Sequence, residues 1–266
     1  MRRAFTFALL GLVSAALMPA QAPKQKITRA ADVPEFSYSV SGKVEDLLHS
    51  DEAFASLTAQ MRHNVSFFKA NHIRIVNMSW GGSVKDYEDG LERCGIGKSV
   101  DERKQTAREL FDIEKRGLEK AFASAPEILF VAAGGNANND ATFNEFIPSS
   151  IQLPNLITAG AVDKAGDEAP FTSYGSTVVV HSNGYEVDSY VPGGERMKFS
   201  GTSMASPNVV NLAAKILATC PDLKPPNVIS LIRDTADTTA DGRRHLINPV
   251  KAVAAAQASG AAVSSR

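Results

Sequence analysis

The segment FSGTSMASPNVV, residues 199–210, contains the serine whose surroundings best suit nucleophilic chemistry. Ser203 follows Gly201 and Thr202 where a long run of small and apolar residues predicts the start of a helix. The first N–H groups of a helix have no partner within it, and they lie at the positive end of the helix dipole. A negatively charged oxygen beside Ser203 would therefore be stabilised. Because Ser and Thr are also common helix caps, these residues alone favour a cap over a nucleophile.

A second polar residue, Asn136, follows the apolar segment FVAAGG. A fixed side-chain amide, together with the backbone N–H of Ser203, would stabilise the negative oxygen that forms during acyl transfer. Taken by itself, an asparagine in the turn-rich stretch GGNANND is more simply a loop residue.

Four short apolar runs bounded by Gly, Pro, Asn or Ser have the length of buried strands: IRIVNMSW, EILFVAAGG, NLITAGAVD and STVVVHS. Between the first two runs an apolar stripe predicts a helix, and Ser99 and Glu102 have capping-box spacing at its start. Further helices are predicted after Ser203, after Pro225 and in INPVKAVAAAQA. Apolar strands that alternate with helices predict an α/β fold with a doubly wound, mostly parallel sheet flanked by helices.

The segment GTSMASP resembles the nucleophile block of the subtilisin-like serine proteases, the subtilases. VNMSWGG is similar to the strand of this family that binds substrate, and FVAAGGN to the opposite wall of the specificity pocket followed by the oxyanion asparagine. The resemblance implies a serine endopeptidase that cleaves polypeptides through a Ser203 acyl-enzyme, with Asn136 as the oxyanion donor. The substrate-binding residues that it implies are Ser79, Trp80, Gly81, Gly82, Ala132, Ala133 and Gly134.

Two catalytic blocks of the family do not occur within the 266 residues. Subtilases carry an aspartate before Ser-Gly or Thr-Gly and a histidine before Gly-Thr-His, whereas no aspartate and no histidine here has such neighbours. A serine without a general base is a weak nucleophile. The resemblance therefore implies the C-terminal part of a catalytic domain, without its N-terminal strands, that is inactive or very weak on its own. It also implies that IRIVNMSW is an exposed apolar edge strand.

Three other functions stay open. A non-catalytic relic would bind an extended peptide by strand addition, and a split protease would be completed by a second chain that carries the missing blocks. An esterase of the α/β-hydrolase type would combine Ser203 with His245 and an acidic residue of segment 234–241, in the order Ser, Asp, His. Ala205 argues against the esterase, because that motif has glycine at this position.

The overall charge argues against a nucleic-acid partner, and the cysteines argue against a disulfide scaffold or a metal site. Lys and Arg number 28 against 29 Asp and Glu, so the net charge of -1 gives no field that would favour nucleic acid. Cys94 and Cys220 are too few for a disulfide scaffold and are not spaced as metal ligands, and their pairing is left open. No metal site and no cofactor are predicted.

The first residues predict export. Two arginines precede an apolar run that ends at Ala20-Gln21-Ala22, which is typical of a secretory signal peptide over residues 1–22. We therefore expect a secreted or periplasmic protein without a membrane partner after cleavage. We expect the chain after the signal peptide to consist of three parts. They are a prelude or pro-region remnant over 23–70, a partial peptidase domain over 71–258 and a tail over 259–266.

Overall fold

The computed structural model describes residues 51–143, 145–191 and 193–264. The predicted signal peptide and the first part of the predicted prelude, residues 23–50, lie outside the described residues. The described part contains six helices and eight strands. They are α1 Asp51–Ala70, β1 Ile75–Met78, α2 Val84–Arg93, α3 Val100–Ala123, β2 Leu129–Ala133, β3 Leu156–Val162, β4 Val178–Asn183, β5 Val187–Tyr190, β6 Arg196–Phe199, α4 Thr202–Thr219, α5 Pro225–Asp234, β7 Asp237–Thr238, β8 His245–Leu246 and α6 Pro249–Ser264.

The main sheet has the strand order β1-β2-β3-β4-β8-β7. Its first five strands pair in parallel, and only β7 runs antiparallel to its neighbour. Strands β5 and β6 form a separate antiparallel pair just before α4. The predicted fold class is confirmed, because a mostly parallel sheet joined by helical connections is what the alternating pattern required.

Alternate side chains of the strands pack against helices on opposite faces of the sheet. Val76 and Phe130 lie in a buried cluster with residues of α1 and α3. Ile75 and Leu129, one position earlier on each strand, lie in a second cluster with residues of α4, α5 and α6. Because both faces are covered, the strands must be apolar throughout, which explains the continuous apolar runs in the sequence.

Strand β1 is the edge of the sheet within the described residues. The carbonyl of Arg74 accepts from the N–H of Leu129 at 2.8 Å, so alternate residues pair with β2. Ile75 and Asn77 then direct their backbone groups to the open side, where no described residue pairs with them. The expected edge strand is confirmed, but its side chains are all buried. Within the described residues, the open edge therefore consists of backbone groups.

The predicted start of α3 is confirmed in detail. The N–H of Glu102 donates to Ser99 Oγ at 3.1 Å, and its carboxylate accepts from the N–H of Lys98 at 2.7 Å. Cys94 and Cys220 are free thiols, and Cys220 Sγ contacts the carbonyl of Ala256 at 3.1 Å. Among residues 51–264, no helix combines the length and apolarity needed to cross a bilayer.

Candidate functional site

Ser203 is the second residue of α4, which begins directly after Gly201. Its backbone N–H lies in the first turn, and no described residue accepts from it. Its Oγ donates to the carbonyl of Ser79 at the end of β1, at 3.3 Å. The candidate nucleophile is thus held by a carbonyl, which cannot take up its proton as a general base does.

The proline of the motif explains how β1 and α4 are joined. Pro207 lies inside α4 and has no N–H, so the carbonyl of Ser203 has no helical partner four residues on. Ser79 Oγ donates to this carbonyl at 2.9 Å and lies 3.1 Å from Ser206 Oγ. Asn77 Nδ2 donates in turn to Ser79 Oγ at 2.8 Å. Polar side chains therefore fix the end of β1 against the first turn of α4.

Asn136 lies beside the start of α4 with its amide in a fixed orientation. Its Oδ1 accepts from the N–H of Thr202 at 2.8 Å and from the hydroxyl of Thr202 at 2.9 Å. Thr202 Oγ1 also accepts from the N–H of Gly135 at 3.1 Å, which locks the three residues together. Asn136 Nδ2 has no acceptor among the described residues. Two N–H donors are thus left without a described acceptor next to each other in the site: the backbone N–H of Ser203, and Asn136 Nδ2, whose amide is bound to the preceding residue, Thr202.

The segment Ser79 to Gly82 is the predicted first wall of the specificity pocket, and its residues differ in which of their groups are already paired or buried. Trp80 packs its ring against the core cluster of α1 and α3, and its indole N–H is buried without an acceptor. Gly82 exchanges both backbone hydrogen bonds with Ile147, each at 3.0 Å. Ser79 and Gly81 precede this pair at the end of β1. No described residue forms a backbone–backbone hydrogen bond with Ser79, Trp80 or Gly81.

The opposite wall is buried up to its last residues. Ala132 and Ala133 lie in β2 between two neighbouring strands, and the N–H of Gly134 donates to the carbonyl of Ala159 at 2.9 Å. Gly135 then turns the chain outward with φ +108°, a conformation that favours glycine. Gly135 and Asn136 both form hydrogen bonds with Thr202, the residue before the candidate nucleophile.

Sequence reasoning missed two residues of the site. Thr202 orients Asn136, and its place in GTSMASP beside the serine was a signal that could have indicated this. Phe146 lies against Gly81 and Gly135, but nothing in the sequence of its loop pointed to the site.

No imidazole of the described residues forms a hydrogen bond with Ser203. His63 and His72 are exposed on α1 and in the turn after it. His181 is buried on β4 opposite Gly160, and its Nδ1 accepts from the backbone N–H of His245 at 3.3 Å. The next residue, Ser182, donates to a carbonyl of α4, so His181 points to the opposite face of the sheet.

The esterase arrangement is also not formed by the described residues. His245 Nδ1 contacts the hydroxyl of Thr238 at 3.2 Å. Each candidate carboxylate pairs elsewhere: Asp234 with Arg233, Asp237 with Lys251 and Asn248, and Asp241 with Thr239 and Arg244. No carboxylate therefore orients His245 toward a serine.

Because His181 is buried, we expect the folded protein to lose stability in mild acid. Burial, together with the charges of His245 and Arg244, lowers its pKa from 6.5 to about 4. The unfolded chain takes up this proton near pH 6.5, so the free energy of unfolding falls as the pH drops from 6.5 toward 4. At pH 5 it should be about 2 kcal/mol lower than at pH 7.5. Urea unfolding at several pH values measures this. The variant His181→Asn should flatten the dependence, and the exposed control His72→Gln should leave it unchanged; an equal slope in all three proteins would refute the assignment.

The comparisons with known proteins agree with this architecture. The subtilase family model, Peptidase_S8, matches residues 41–258, a range that includes α1 and each of the eight described strands. The chain belongs to the subtilase family. Subtilisin DY from Bacillus licheniformis is 31% identical over 195 residues, which cover 73% of this chain and 69% of that protein. The family consists of proteases, so it implies a polypeptide substrate.

Other relatives are matched over shorter parts or by fold alone. Subtilisin-like protease 6 from Arthroderma benhamiae is 41% identical over 98 residues, 37% of this chain and 23% of that protein. The solved structure of the prenylagaramide maturation protease PagA has a TM-score of 0.57 and 20% identity, over 75% of this chain and 67% of that one. This chain thus spans 69% of one relative and less than a quarter of another.

Proposed function

We propose that this chain provides the nucleophile and the oxyanion hole of a subtilisin-like serine endopeptidase, and that by itself it cleaves peptide bonds very weakly or not at all. Ser203 attacks the scissile carbonyl to form an acyl-enzyme. Asn136 Nδ2 and the N–H of Ser203 stabilise the oxyanion, and the backbone of Ser79 to Gly81 pairs with the extended substrate. The supporting observation is that Asn136 is bound through its Oδ1 to Thr202, the residue before Ser203, while its Nδ2 and the N–H of Ser203 have no acceptor among the described residues.

The weakness of the isolated chain follows from the proton of Ser203. For attack, this proton must move to a base, and the described neighbour of the hydroxyl is the carbonyl of Ser79. The aspartate and histidine blocks of the family are absent from the 266 residues. Substrate binding and the oxyanion hole then supply the only catalysis that is left.

Labelling with a fluorophosphonate probe tests this proposal. At neutral pH we expect the purified chain to label far more slowly than subtilisin DY, and only on Ser203, because the hydroxyl is not activated. The variant Ser203→Ala should lose the label completely. Rapid labelling of the chain alone would contradict the proposed weakness, and a label that persists in Ser203→Ala would contradict the assigned nucleophile.

A split protease is the second candidate, and the open edge of β1 favours it. The backbone groups of Ile75 and Asn77 point to that edge, and no described residue pairs with them. An added strand from a second chain would pair with this backbone and could bring the missing aspartate and histidine blocks to Ser203. Co-purification of such a chain, with peptidase activity that appears on mixing, tests this candidate; the relic predicts peptide binding without recovered activity.

Export to a secreted or periplasmic location belongs to the same proposal. It is supported by the charged and apolar pattern of residues 1–22.

A further inference from the structure

Phe146 lies between the two walls of the candidate specificity pocket. Its ring touches Gly81 on one wall: a Cβ added to Gly81 would lie 2.6 Å from Phe146 Cζ. The same ring faces Gly135 on the other wall, where an added Cβ would lie 3.4 Å from Phe146 Cδ1. The ring thus takes the space that the two glycines leave by having no side chains, and it does so next to Asn136.

The backbone of Phe146 is held firmly in this position. Its N–H donates to the carbonyl of Ala141 at 3.0 Å, and its own carbonyl accepts from the N–H of Ser150 at 2.8 Å and from Ser149 Oγ at 2.9 Å. The following residue, Ile147, exchanges two backbone hydrogen bonds with Gly82 of the first wall. The loop that carries the ring is therefore attached directly to the strand that would bind substrate.

An ion-pair cluster fixes the other side of Phe146. Glu145 pairs with Arg108 and, at 3.3 Å, with Lys115, both on α3. The hydrogen bond from Arg108, followed by that from Lys115, lowers the pKa of the Glu145 carboxyl, which therefore stays charged at neutral pH. The loop that carries Phe146 is thus attached both to α3, through Glu145, and to Gly82, through Ile147.

We propose that Phe146 fills the primary specificity pocket and restricts the substrate residue before the scissile bond to glycine, alanine or serine. This inference rests on the proposed function, because it assumes that the acyl part of the substrate lies between Gly81 and Gly135. A large aromatic side chain would have to displace the Phe146 ring, whereas a hydrogen, methyl or hydroxymethyl group needs much less space. Even one methylene group in an apolar pocket changes selectivity by about 10- to 200-fold.

Binding of product-like peptides tests the restriction without requiring catalysis. The probes are acetyl-Ala-Ala-Ala-Ala and acetyl-Ala-Ala-Ala-Phe with free carboxylates, titrated into the full chain and followed by calorimetry. We expect the unmodified chain to bind the alanine peptide at least about tenfold more tightly than the phenylalanine peptide. In Phe146→Gly and Phe146→Ala the order should reverse, because the emptied pocket accepts an aromatic ring.

The matched control is Phe143→Ala in the same loop, whose side chain is 83% exposed. This variant should keep the preference of the unmodified chain. Equal binding of both peptides to the unmodified chain would overturn the restriction and leave the proposed function intact, and this comparison needs no variant. An unchanged preference in Phe146 variants that keep the circular dichroism of the unmodified chain would also overturn it. Failure of both peptides to bind any of these proteins would overturn the proposed function together with it.

Discussion

Replacing Ser203 by alanine is expected to lower the turnover of an activated peptide ester by this chain less than about tenfold. In a subtilisin, a relative of this chain, loss of the serine or of the histidine alone costs about 2 × 10⁶ in kcat, nearly as much as loss of the whole triad. The residues act as one unit, so a serine without its base contributes little. The hydroxyl of Ser203 donates to the Ser79 carbonyl and not to an imidazole. Removal of this hydroxyl should therefore change the rate of ester hydrolysis only slightly.

The measurement compares initial rates of ester hydrolysis for the chain and for Ser203→Ala, with subtilisin DY and its own serine variant as the positive control. We expect the subtilisin pair to differ by about 10⁶ and the pair from this chain to remain within a factor of about ten. A drop of a thousandfold or more in Ser203→Ala would show that a base reaches Ser203 from within this chain. If a second chain restores activity, the same substitution should then abolish the restored part.

The sequence predicted the parts of the fold that repeat in a regular pattern. The four apolar runs became β1 to β4, since strands covered on both faces must be apolar throughout. The pair β5 and β6 was missed because it has no apolar run: β5 alternates between half-buried and exposed residues and includes Asp188, a poor strand former, and β6 is mostly exposed. Helix α2 was missed as well, because its residues are mostly charged.

The site was predictable where adjacent residues carry the chemistry, and not where the fold brings distant residues together. Ser203 and Asn136 each follow a recognisable motif, and the structure brings Thr202 between them. The contact of Phe146 with Gly81 joins two loops 65 positions apart in numbering, and no local pattern contains it. The buried, unpaired Oδ1 of Asn77 likewise depends on the packing of β1 against α4, which hydrophobic periodicity does not specify.

Replacing Asn136 is expected to reduce residual turnover by about 10²–10³, a larger loss than removal of the nucleophile itself. This magnitude comes from the equivalent donor of a subtilisin and is borrowed from that relative. When the base is absent, the catalysis that remains comes from the oxyanion hole and substrate binding, and Asn136 Nδ2 is one of its two free donors. The variant Asn136→Leu removes this donor. The variant Asn136→Asp keeps an acceptor for Thr202 and places a negative charge where the oxyanion forms, so it should be at least as damaging.

The matched control is Asn211→Leu, the same substitution on the exposed side of α4, which should leave turnover within about twofold. Rates of the activated peptide ester and binding of the product peptide are measured on all four proteins. The loss should fall on kcat and leave peptide binding nearly unchanged, because the amide is needed only when the carbonyl oxygen becomes negative. A loss confined to peptide binding would mean that Asn136 holds the substrate and does not stabilise the oxyanion. If Asn136→Leu and Asn211→Leu keep equal turnover, the free N–H groups at the start of α4 do not act on the reacting carbonyl, and the weak activity of the chain must arise elsewhere.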